Sequence, residues 1–187
     1  MSVAGKHSAG GAHMARSGAE AIGILTGVVV GVICSLFILR SINKNHKLRT
    51  EYDEMQKRVR GEAYMYGFFA LVFYEALLGL AEIITKLPVD PLVLHFMGIL
   101  IGVTVQAGYS IWHDAYVGLN TQTNRFLITM VVIGGINLFV AIMAWIDGRM
   151  VKDGILQTPF INFMVFVVFL ILGIIGLVKK TTAREED

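Results

Sequence analysis

Charge is scarce in this chain and cysteine is almost absent. Only 16% of its 187 residues are charged, while 55% are hydrophobic and the mean hydropathy is +0.65. Soluble domains carry roughly 25% charged residues, so a soluble domain of any size is excluded. The one cysteine, Cys34, rules out an internal disulfide, a CxxC redox pair and a thiolate zinc cage. It has neither an electropositive neighbour nor a second thiol in the chain, and reads as a small apolar packing residue. Three prolines leave little room for a disordered arm. The Walker loop, HExxH, GxSxG and the glycine-rich dinucleotide fingerprint are all missing. The expectation is a non-enzymatic protein with no catalytic residues, no metal and no cofactor.

What the chain has instead is long apolar runs. A helix needs about 20 mainly apolar residues to cross the hydrocarbon core, and five stretches qualify, at about 20–40, 63–85, 91–112, 126–146 and 159–178. The expected fold is all-α and polytopic, a bundle of five transmembrane helices over 20–178. An extracytoplasmic tail at 1–19 precedes it and a charged cytoplasmic tail at 179–187 follows. The first run is too long for a signal h-region and ends at Arg40 without a small-residue cleavage site, so it reads as a retained anchor. With five crossings, eleven Lys and Arg fall on one side and five on the other. The positive-inside rule then places the N-terminus outside and the C-terminus in the cytoplasm. Small size, short loops and the lack of glycosylation sequons suggest a bacterial-type cell membrane, with the protein as a multi-pass component.

The segment 41–61 is the most charged connection, with six of the sixteen Lys and Arg residues. Leu48, Tyr52, Met55 and Val59 follow helical spacing within it, which predicts either a short amphipathic cytoplasmic helix on the inner leaflet or an extension of the second span. Anionic lipid explains the basic charge there, so lipid is the expected partner and nucleic acid is not. In the first span Gly23, Gly27, Gly31 and Ser35 recur every four residues, and Gly98 and Gly102 repeat the device in the third. Such stripes let helix backbones approach in lipid, either within the chain or against a second copy or another membrane subunit.

Ionisable groups inside a span are read first as functional. Glu75 lies near the centre of the second span, with Glu82 and Lys86 further along the same face; His95 and Gln106 lie on one face of the third. A tight antiparallel turn around Pro88 would set Glu82 level with His95 and Glu75 level with Gly102. Glu82 and Lys86 have the favourable i, i+4 order for an ion pair. Asn137, central in the fourth span, is the expected hydrogen-bond partner of Glu75. Glu75, Glu82, His95, Gln106 and Asn137 therefore form the candidate ligand or proton site, with structural helix-to-helix bonding as the competing role. The functional expectation is a component or modulator of a membrane assembly. The alternatives are a small transporter or permease subunit using Glu75 and, more remotely, an intramembrane enzyme.

Overall fold

In the computed structural model, residues 22, 25, 26, 29–46 and 48–185 are described. Five helices dominate: α1 (Val29–Ile42), α2 (Glu54–Ile84), α3 (Pro91–Trp112), α4 (Thr123–Ile146) and α5 (Phe160–Glu185), with two short strands, β1 (Val151–Lys152) and β2 (Ile155–Leu156). The fold is all-α, and α2 to α5 are each long and apolar enough to cross a membrane. The chain divides into two units, 1–49 and 50–187. In the first unit α1 contains Gly31 and Ser35, whose hydroxyl donates to the Gly31 carbonyl at 2.8 Å. Gly23 and Gly27, the other half of the proposed stripe, lie outside the described residues.

In the second unit each helix starts where the chain supplies a cap. Asp53 and Gln56 form a reciprocal capping box at the start of α2, the Asp53 carboxylate accepting from the Gln56 amide at 2.7 Å, which satisfies donors that the first turn leaves open. The 31 residues of α2 reach about 46 Å at 1.5 Å each, well beyond a hydrocarbon core of about 30 Å. Its first two turns are therefore the charged extension of the second span. Leu48 and Tyr52 precede the cap, so the four-residue face from Leu48 to Val59 does not form on one helix. Asp90 caps α3, and Pro91 occupies a first-turn position where no amide donor is needed.

The 85–90 link is not the tight turn that the sequence suggests. Thr85 is extended, with φ −150° and ψ 150°. The Asp90 amide then donates to Leu156 O at 2.8 Å, and the Leu156 amide to Pro88 O at 2.9 Å. Leu156 belongs to the β1–β2 hairpin, whose turn residues Asp153 and Gly154 have φ of +53° and +76°, the left-handed pair that an Asp-Gly hairpin turn uses. The link thus runs as a strand-like segment against the hairpin, and α2 overshoots the start of α3. This displaces the α2–α3 register from the symmetric expectation by roughly two helical turns. It also places Lys86 beyond the end of α2, so the expected Glu82–Lys86 helical pair does not form.

Helix α2 packs on α3, α3 on α5 and α5 on α4. The spatial order is therefore α2, α3, α5, α4, an open row with no comparable α2–α4 contact among the described residues. The α2–α3 seam is held at close range by glycine. A Cβ on Gly67 would lie 2.7 Å from Gly102 O and 2.9 Å from the Gln106 Cβ, and one on Gly102 would lie 2.9 Å from Gly67 O. Gly98 and Gly102 therefore face α2, where Gly67 is a matching small residue that the sequence stripes do not include. A small apolar cluster of Ala141, Ala144 and Met150, covered by Phe160, closes the hairpin end of α4 against α5.

The 113–122 link meets α5 at Lys179, six residues before that helix ends, and is hydrogen-bonded to the start of α2 and to Glu51 just before it through Asp114, Leu119 and Asn120. One rim of the row, the loop rim, gathers the start of α2, this link and the end of α5. The opposite hairpin rim gathers the 85–90 link and β1–β2.

Candidate functional site

The altered register brings together two of the five candidate residues. Glu75 Oε2 and His95 Nδ1 are 3.0 Å apart across the α2–α3 seam. Beside them the Tyr74 hydroxyl donates to Leu94 O at 3.0 Å. The space for this arrangement comes from Gly98, where a Cβ would lie 2.6 Å from the Tyr74 ring and 2.7 Å from Glu75 Oε1. Glu75 is thus level with His95 and Gly98, not with Gly102. His95 lies four residues into α3, about 6 Å from its start, so the pair sits near the hairpin rim and away from the middle of α3. The side chains of Glu75 and His95 are 35% and 56% exposed, which leaves the pair open on the lateral surface of the row.

The other three candidates stand apart. Glu82 is exposed near the end of α2 and pairs with neither His95 nor Lys86. Gln106 packs its Cβ against Gly67, and its Nε2 is 3.4 Å from the Ser110 hydroxyl. Asn137 donates to Ile133 O of its own helix at 2.9 Å. The expected Glu75–Asn137 contact is absent because α4 occupies the far end of the row, separated from α2 by α3 and α5.

Toward the loop rim, the α2–α3 seam holds a second polar set that the sequence does not single out as a group. The Tyr109 hydroxyl donates to Glu62 Oε2 at 3.0 Å, and His113 Nδ1 is 2.9 Å from Tyr109 O. The Tyr109 ring stacks on His113 at 4.2 Å between centroids and contacts Tyr66 at 5.0 Å. Two i, i+4 pairs, Glu62 with Tyr66 and Tyr109 with His113, are the available sequence signal, but it becomes readable only once the α2–α3 register is known.

The loop rim itself is a built structure. Gln56 Nε2 donates to Asp114 O at 2.8 Å, the Glu51 amide donates to Asn120 Oδ1 at 2.8 Å, and the Leu119 amide donates to Glu51 O at 2.8 Å. The Arg60 guanidinium lies over the Tyr52 ring at 4.2 Å and donates to the Tyr64 hydroxyl at 3.0 Å. Burial raises the Tyr52 phenol above its ordinary value of 10.0, with Arg60 opposing the shift, and burial likewise raises Tyr116. Lys57 and Arg58 form ion pairs with Glu54 and Glu62. Much of the basic charge of the 41–61 segment that lies on α2 is therefore already engaged within the chain. At the end of α5, Lys179 is paired with Asp114 and donates to Ile111 O at 3.1 Å.

Among the described residues, no group of three or more His, Cys, Asp or Glu side chains converges as a metal site would require. No family model matches the chain, and neither a curated protein nor a solved structure matches it.

Proposed function

We propose that this protein is a non-catalytic, multi-pass component of a cytoplasmic-membrane assembly, oriented with its N-terminus outside and its C-terminus in the cytoplasm. The observation that carries the reading is the Glu75–His95 pair, half open on the side of an open helix row. Ionisable groups facing hydrocarbon are costly unless covered, paired or hydrated. A neighbouring polypeptide supplying polar groups would cover this pair and lie on the apolar face around it, where Phe96 and Ile99 are exposed. Helix association in lipid draws on just such packing and interhelical hydrogen bonds. The orientation is supported by the excess of Lys and Arg on the loop-rim side.

A small transporter is the second reading, favoured by the same pair, since an adjacent carboxyl and imidazole can pass a proton between them. The two readings separate in one experiment. A photo-crosslinking residue replaces Ile99, one turn from His95 on the exposed face, and purified protein is assayed for solute flux in liposomes. A discrete protein adduct that weakens in Glu75→Leu, with no flux, is the expected result. Proton-gradient-driven flux that disappears in Glu75→Gln would replace this reading with the transporter, and adducts with lipid alone would overturn it.

A further inference from the structure

We infer that the seam between α4 and α5 is a binding site for a single anionic phospholipid, with its headgroup at the loop rim. Two adjoining cavities of opposite character carry the inference. At the rim, an open cavity of about 500 Å³ lies beside α5, lined by Asp114 and Tyr116 from the 113–122 link, Thr123 from the start of α4, and Lys179 and Lys180 from α5. Next to it, a groove of about 390 Å³ runs between α4 and α5, lined by Leu127, Met130 and Gly134 on one side and by Phe166, Leu170 and Gly173 on the other. Each has the volume of a small-molecule site.

Helical spacing places the two in succession along the same helix faces. Thr123, Leu127, Met130 and Gly134 succeed one another by four, three and four residues on α4, while Lys180, Leu177, Gly173 and Leu170 do so by three, four and three on α5. Each series is one face of its helix. One face therefore begins with a hydroxyl and the other with an ammonium group, and both become wholly apolar below. That gradient matches a lipid whose phosphate sits at the interface and whose acyl chain enters the hydrocarbon.

Charge decides which phospholipid. Lys179 is balanced by its ion pair with Asp114, but Lys180 forms no ion pair among the described residues. The cavity thus carries one unbalanced positive charge, complementary to one phosphodiester. The amine of a zwitterionic headgroup would find no carboxylate in the lining beyond Asp114, whose charge Lys179 already balances. The positive end of α4 lies beside the site, where Gln122 at the N-cap contributes no side-chain hydrogen bond, and it adds a weaker attraction for the same anion.

The test equilibrates purified protein in vesicles of equal phosphatidylglycerol and phosphatidylcholine and measures bound lipid by native mass spectrometry. Wild type should retain about one lipid per chain, enriched in phosphatidylglycerol by about fivefold, the increment expected of one lysine near a charged headgroup. Lys180→Gln should abolish the enrichment. Gly173→Leu should displace the lipid, because a Cβ at Gly173 meets no atom within 4 Å and the side chain would extend from it into the groove. Gly135→Leu, which also points into open space and lines the same groove, replaces it if that variant does not fold. Equal retention of both lipids by wild type, or full phosphatidylglycerol retention in Lys180→Gln or in the folded groove variant, would overturn the assignment. Glycerol phosphate that competes fully with lipid and is insensitive to the groove variant would show a soluble-phosphate site instead.

Discussion

His95 is the side chain that meets Glu75 in this structure, at 3.0 Å, and Asn137 is turned back on its own helix. Interhelical hydrogen bonds in membrane proteins contribute about 0.6 kcal/mol on average and up to about 1.7, because the separated helices find other partners in the bilayer. A double-mutant cycle of Glu75→Ala and His95→Ala in detergent should return a coupling in that range. The corresponding cycle of Glu75→Ala with Asn137→Ala should return none. Coupling to Asn137 in place of His95 would mean that the open row is not the arrangement adopted in solution. Glu75 and His95 were each legible as intramembrane polar residues from sequence alone. Their pairing was not, because it depends on where along α3 the end of α2 comes to lie.

At the scale of the elements, the α2–α3 contact is the seam on which the Glu75–His95 pair depends. Gly67 and Gly102 meet backbone to backbone, so any side chain at Gly67 must push the helices apart; Gly79, on the same helix, has open space around its Cβ position. Gly67→Ala should therefore destabilise by about 1–3 kcal/mol, the range for overpacking a tight interface. Gly79→Ala should be neutral or should stabilise by up to about 1 kcal/mol through helix propensity. Thermal melting of the two variants in one detergent decides the point, and equal melting temperatures would mean that the seam opens freely. The spans were readable because a bilayer imposes a length and an apolar composition on each. The third expected span matches α3 at both ends, and the second, fourth and fifth recover the apolar parts of α2, α4 and α5. Glycine periodicity identified Gly98 and Gly102 as packing residues, but it could not name α2 as their partner. Gly67 forms a small pair only with Ala63, four residues earlier, which a search for repeated glycines passes over.

For the molecule as a whole, the antiparallel order of α2 to α5 places residue 119 at one rim and residue 153 at the other. On the proposed orientation, and in a Cys34→Ala background, Asp153→Cys should react with an impermeant thiol reagent added to intact cells. Leu119→Cys should react only after the membrane is permeabilised. The reverse pattern would invert the orientation, and reaction of both in intact cells would break the antiparallel order itself.

The membrane class and the approximate spans followed from composition and run length, since the energy of moving a segment into hydrocarbon is nearly a sum over its residues. The neighbour relations did not. Two hydrogen bonds between the 85–90 link and Leu156, one donated from each side, hold that link extended and shift the α2–α3 register. The placement of α5 between α3 and α4 separates Asn137 from Glu75 and brings Lys179 against Asp114 of the 113–122 link. Those outcomes depend on contacts between residues tens of positions apart, such as Lys179 with Ile111, which only the folded chain brings together.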